Sequence, residues 1–212
     1  MLVPPILFAG LFVSAQEPIT DSPDTAQVIE AETADIVSTM PEPGLTPDSP
    51  LYFLDTLTEN LALALTRQPE KKAEKAFFFA EEKLAEVQDS INKDKQAAAD
   101  KAIGRYDKLL DDTTENLGKA KALGKDIDAL AAHVAEQTLK HIAVKQRVYD
   151  MLVAKGNLTA AEAVKKSMEK SLNGPETAVE AISKNKSKKD ELGNKGQTIK
   201  NKIREQDGQR VE

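Results

Sequence analysis

The sequence predicts an all-α fold: an elongated bundle of about five to six helices with coiled-coil-like packing, preceded by a disordered acidic linker. Three observations predict it. Apolar residues recur at alternating spacings of three and four over long stretches, as on one face of a packed helix. Charged residues make up 30% and aromatic residues 4%, with the apolar content carried by Ala and Leu, a composition suited to long helices. No stretch alternates apolar and polar residues for long enough to read as a half-buried strand.

The elements follow in order. Met1 to Ala15 is uncharged and mostly apolar, and Val13-Ser14-Ala15 ends it with small residues at the spacing a signal peptidase reads. Residues 1–15 are therefore expected to be a cleaved signal peptide, although a positive n-region is missing and Pro4 and Pro5 interrupt the run. A retained anchor is the alternative, but fifteen helical residues give only ~22 Å against a ~30 Å hydrocarbon core. No later segment approaches the ~20 apolar residues of a spanning helix, so no transmembrane span is expected after cleavage.

Residues 16–48 are rich in Pro, Asp, Glu, Thr and Ser, with apolar residues in no period, and are expected to be a disordered acidic linker. The helical bundle domain is expected over residues 49–183. Ser49 is placed to cap its first helix, with Pro50 in the first turn. Leu51, Leu54, Leu57, Leu61 and Leu65 then form one apolar stripe, and Arg67-Gln68-Pro69 ends the helix. The second helix, from about Pro69 to Ile91, carries a heptad seam of Ala73, Phe77, Ala80, Leu84, Val87 and Ile91.

A third helix spans about Lys95 to Leu123, with Ala99, Ala102, Tyr106, Leu109, Thr113, Leu117 and Ala120 in the same rhythm and Gly124 as its stop. The fourth, from about Asp126 to Lys155, has two stripes. Ile127, Leu130, Val134, His141, Val148 and Leu152 form one; Ala131, Ala135, Ile142, Tyr149 and Val153 form the other. A helix apolar on two sides belongs in the middle of a bundle. Gly156-Asn157 turns the chain, Thr159 and Glu162 read as a capping box for a fifth helix, and Asn173-Gly174-Pro175 starts a sixth. Residues 184–212 are Lys-rich with few apolar residues and are expected to be a frayed helix or disordered tail.

Charge narrows the classes of function. Ten acidic residues and no Lys or Arg precede Arg67; the body to Ser183 is balanced at twenty of each sign; nine basic and five acidic residues follow. Nucleic-acid binding needs a concentrated basic face and is not expected. The absence of Cys excludes disulfides, thiol catalysis, thiolate metal sites and a lipobox anchor.

The run Pro43-Gly44-Leu45-Thr46-Pro47-Asp48-Ser49-Pro50-Leu51-Tyr52-Phe53-Leu54-Asp55 is distinctive. It continues with Glu59, Leu65-Thr66-Arg67 and Pro69-Glu70-Lys71-Lys72-Ala73, and later with Ala80-Glu81-Glu82-Lys83-Leu84-Ala85-Glu86. Over roughly Pro43 to Ser183 the chain resembles the family catalogued only as domain of unknown function 5667, found in archaeal and bacterial proteins, usually behind a signal peptide or a transmembrane segment. The resemblance implies an extracytoplasmic helical domain, and it implies no activity and no functional residues.

Tyr52 and Phe53, with Phe78, are the candidate partner surface; the simpler expectation is that Tyr52 and Phe53 pack on the bundle as part of a rigid N-terminal turn. Phe77, Phe78 and Phe79 fan across ~200° and suit a helix packed on two sides. His133 and His141, the only histidines, are separated by about 80° of rotation and do not make a zinc pair; His141 is expected to be buried and hydrogen-bonded. Glu81-Glu82 and Asp111-Asp112 lack a calcium loop and read as solvated helix faces. Asn157 and Asn185 fit the glycosylation triplet, with Asn157, in a turn, the better candidate.

No nucleophile elbow, phosphate loop, nucleotide loop or His–carboxylate cluster is legible, so no catalytic, cofactor-binding or metal residues are assigned and no enzyme is expected. The expected function is that of a secreted or envelope-associated helical-bundle protein with a structural or protein-binding role. Its expected partner is an envelope or extracellular protein. The alternative is an envelope sensor or binder of a ligand or divalent metal.

Overall fold

A computed structural model describes residues 41–209, with side chains to residue 204. The expected signal peptide, most of the expected acidic linker and the last three residues lie outside the described residues. Within them all regular structure is helical, in seven elements: α1 (Tyr52–Leu65), α2 (Pro69–Asn92), α3 (Gln96–Ala122), α4 (Asp128–Ala154), α5 (Leu158–Ser171), α6 (Asn173–Ala181) and α7 (Lys186–Gln209). None of them is long and apolar enough to cross a membrane.

The boundaries follow local chemistry. The Ser49 hydroxyl accepts from the Leu51 N–H at 3.3 Å, and the Thr46 carbonyl accepts from the Ser49 N–H at 2.8 Å. Ser49 thus secures a turn just ahead of α1. Thr66 is extended, and Pro69 opens α2 at its first position, where no N–H is needed. The three-residue turn into α3 places Asp94 at φ 56°, a left-handed conformation that Asp tolerates better than most residues. Gly124 and Gly156 end α3 and α4 with φ of 69° and 73°, as glycines past a helix end do.

The start of α5 differs from expectation. Its cap is Asn157, whose Oδ1 accepts from the Ala160 N–H at 3.3 Å. Thr159 and Glu162 stand exposed inside the first turns, not as a capping box, because Asn157 already serves the free amide.

The Lys-rich tail differs too. It is a helix against α6 and α4, with Leu192 and Ile203 buried and Ile199 packed on the core. Spacings of seven and four put these three on one face, enough to dock a helix whose other faces are solvated. Its approach is tied by Asp128, in the first turn of α4, which accepts from the N–H groups of Ser183, Lys184 and Asn185 at 3.0, 2.5 and 3.1 Å. Those bonds hold its carboxyl far below the usual carboxylate range.

α2 and α3 form the most extensive helix pair, and α4 is central, packing on α5, α6, α7 and α2. Every residue of the α2 and α3 seams is buried, and so is most of both α4 stripes. The core falls into two apolar clusters. One runs through Phe77, Leu84, Leu109, Leu117, Val134 and Ile142; the other gathers Val87, Ile91, Ile103, Val148, Leu152 and Val164 near the α2–α3 turn. Polar residues stand at the level where the two clusters meet on α2 to α5: Lys83 and Glu86 on α2, Arg105 and Asp107 on α3, Lys145 on α4, Ser167 on α5.

Candidate functional site

That polar level holds two nodes. In the first, Lys83 Nζ lies 2.8 Å from Asp55 Oδ2, 2.6 Å from Glu59 Oε1 and 2.6 Å from Glu86 Oε1. Lys83, Glu59 and Glu86 are buried, and Asp55 is partly open. Arg105 adds a second cation, its Nη2 3.2 Å from Glu59 Oε2 and 2.6 Å from Asn60 Oδ1. Asp55, Glu59 and Asn60 all belong to α1, so this node ties α1 to α2 and α3.

The Tyr52 ring covers the node, with Lys83 Nζ 5.2 Å from its centroid. From the other side comes the Pro43–Pro50 turn. A Cβ on Gly44 would sit 3.2 Å from Glu86 Oε1 and 3.8 Å from Asp55 Oδ2, so the backbone passes there as closely as glycine allows. Pro47 is buried, and Asp48 pairs with Lys95 at 2.5 Å. The last residues of the expected linker therefore belong to the fold.

Burial alone would lower the Lys83 pKa, but hydrogen bonds to Asp55, Glu59 and Glu86 outweigh it and raise the amine above its ordinary value. Burial pushes the Glu86 carboxyl up to about 7 against the pull of Lys83. The node sets three carboxylates against two cations. It is neutral with Glu86 protonated and singly negative without that proton.

The second node centres on Lys145. Its Nζ lies 2.6 Å from both Ser167 Oγ and Ser171 Oγ, 3.5 Å from Asp107 Oδ1 and 3.8 Å from the Tyr106 ring centroid. Burial pulls its pKa down to about 7, with Asp107 opposing. Ser167 in turn donates to Asp107 Oδ1 at 2.5 Å. A lysine of lowered pKa beside a serine is an arrangement that can activate a nucleophile. Here Lys145, Ser167 and Ser171 are 0–2% exposed, and the serine oxygens are occupied by internal bonds, so the group acts as a closed hydrogen-bond network. Tyr106 Oη lies 3.2 Å from His141 Nδ1, and burial lowers the His141 pKa, which keeps the imidazole neutral. His141 is buried and hydrogen-bonded, as its position on an apolar stripe predicts.

With Asp55 and Glu59 turned inward, α1 shows its apolar stripe to solvent. Leu51, Phe53, Leu54, Leu57, Leu61 and Leu65 are 43–71% exposed, and Leu63 is the only leucine of α1 that is buried. The expectation that Phe53 packs on the bundle is therefore corrected: Phe53 belongs to the outward face, and Tyr52 alone of the pair turns in. Phe78 is also exposed, edge-on to Phe79 at 6.0 Å. Phe77 is buried between His133 and His141, at 5.8 and 5.7 Å, so the three phenylalanines point three ways as their spacing requires. The Asn157 side chain is half-buried and engaged as the α5 cap. Asn185 likewise accepts from the Lys188 N–H at 3.0 Å at the start of α7.

Lys83 and Glu86 stand in the run that carries the family resemblance, but neither they nor Arg105 and Lys145 are among the sequence-predicted site residues. The signal was faint: Lys83 and Glu86 stand beside seam residues Leu84 and Val87, and Asp55 and Glu59 lie on the helix face opposite the leucines. Among the described residues no group of three His, Asp or Glu side chains is arranged to hold a metal ion.

No curated protein and no solved structure matches the chain. A family model does, over residues 44–151, from the glycine against Glu86 through the whole first node to Lys145 of the second, whose Ser167 and Ser171 lie beyond the match. That match spans half of the chain, and the chain belongs to the family described as domain of unknown function (DUF5667).

Proposed function

We propose that the protein is a secreted or envelope-associated helical-bundle protein with a protein-binding role and no catalysis, and that α1 is its docking helix. The observation that carries this reading is the outward face of α1. A helix that spends its carboxylates on a buried lysine and leaves five leucines and a phenylalanine in water presents an apolar patch of the size that marks interaction sites. The leader Met1–Ala15 and the acidic segment after it support an extracytoplasmic location. The closed network around Lys145 supports a structural role for the most reactive-looking group in the molecule.

Photo-crosslinking in the native host tests the docking role. A photoreactive residue at Leu57 is expected to give discrete protein adducts, and one at exposed Lys101 on α3 is not. Equal labelling at both positions would refute it. N-terminal sequencing of the exported protein should return Gln16; recovery of Met1 would refute cleavage.

A further inference from the structure

We infer that the occupant of the α1 face is a second copy of this chain, paired about a two-fold axis along the leucine stripe; this rests on the docking reading above. The spacing comes first. Leu54, Leu57, Leu61 and Ala64 follow the three-four alternation of a two-stranded seam, flanked by Leu51 and Leu65. α2 and α3 use that alternation internally; on α1 none of the described residues covers it, because the helix is held by its opposite side.

Charge comes second. The exposed arc from Phe53 through Leu57 and Leu61 to Leu51 contains Thr58 and no ionisable residue. The same patch on another copy meets it without burying or opposing a charge, which is what an isologous contact needs. The carboxylates of α1 that would repel are already neutralised by Lys83 and Arg105 on the inner side. Charge also disfavours a lipid surface. The chain carries ten acids and no Lys or Arg before Arg67, whereas interfacial helices keep basic residues beside their apolar face to meet anionic lipid.

Area comes third. The exposed parts of the five leucines and Phe53 amount to about 600 Å² per copy, hence no more than about 1,200 Å² in a pair, at the lower edge of specific interfaces. An interface at that lower edge belongs with weak, reversible associations.

Sedimentation equilibrium on the chain from Gln16 and on the full-length chain is the test. Wild type is expected to pass from monomer to dimer as its concentration is raised from micromolar to millimolar. The pair Leu57→Glu with Leu61→Glu should weaken association at least tenfold at unchanged Tm, since both residues are exposed. The chain has no cysteine, so Leu57→Cys should give a disulfide dimer on mild oxidation, and Lys101→Cys should not.

A wild-type chain that stays monomeric at the highest concentration overturns the proposal. If Leu57 then still crosslinks another envelope protein, the docking reading survives alone; if it crosslinks nothing, both fall. A dimer that persists in the double glutamate variant places the interface elsewhere and overturns it. So does leucine-dependent binding to anionic phospholipid vesicles without self-association. Alkylation of Leu57→Cys blocked only when Met1–Ala15 is present would assign the face to the leader, and that too overturns the proposal.

Discussion

Replacing Lys83 by methionine removes the central cation of the first node while keeping most of its apolar stem. Glu59 and Glu86, both buried, and Asp55 would then share one volume, with Arg105 reaching only Glu59. Removing one member of a buried ion pair costs about 3–5 kcal/mol in a rigid site. This site has an exit. α1 is held by the node, by buried Leu63 and by the half-buried Tyr52 ring, and one buried leucine contributes about 1.5–3 kcal/mol. Undocking α1 returns its carboxylates to water for a comparable free energy, so the Lys83→Met penalty is drawn mostly from α1 and little from the bundle. Hydrogen exchange read by mass spectrometry resolves the two. Peptides covering Tyr52–Leu65 should exchange roughly 100-fold faster, equivalent to about 3 kcal/mol. Peptides in the middle of α3 should change by less than tenfold. Unchanged exchange in α1 would show that the node does not hold the helix. Joint acceleration of α1, α2 and α3 would show that the node is part of the cooperative core and that α1 is no separable docking element.

Three further outcomes follow from the same contacts. Glu86 has a folded pKa raised to about 7, so between roughly pH 4.5 and 7 the folded protein holds a proton that the unfolded chain has lost. Stability therefore falls as pH rises through that window, by at most about 1.4 kcal/mol per unit, and Glu86→Gln should remove this component; urea midpoints of wild type and variant that run parallel from pH 5 to 7.5 would contradict it. Asn157→Ala should cost about 1 kcal/mol in chemical denaturation and Thr159→Ala almost nothing, the reverse of what a capping box requires. Leu192→Ala should cost about 2–4 kcal/mol if α7 is integral to the core, and a variant as stable as wild type would make the helix an appendage.

The helices whose two faces differ in the usual direction were legible from sequence. On α2 and α3 the heptad positions are buried, because aliphatic seams pack best against one another. α1 shows why the same reading can invert. Periodicity reports that a helix has two faces, and which face turns inward depends on the surface awaiting it. Here that surface carries Lys83 and Arg105 at the polar level of the bundle, so Asp55 and Glu59 turn in, exposed Asn60 meets Arg105 at the margin, and the leucine stripe turns out, taking Phe53 with it.

No local pattern states that a lysine on α2 will lie under a helix whose carboxylates sit more than twenty residues earlier. The nearest clue was Gly44, fixed in a run of prolines, whose missing Cβ is what lets the chain close over Glu86. The tail misleads for a related reason: composition averages α7 into a solvated segment, whereas three aliphatic residues on one face decide its docking. Both cases place the outward leucines of α1 in a new light. A chain that docks a Lys-rich helix with only three aliphatic residues does not leave six large apolar side chains in water for want of a groove. The ion pairs of the first node hold them there, and the same pairs that orient α1 keep its outer face uncharged and open.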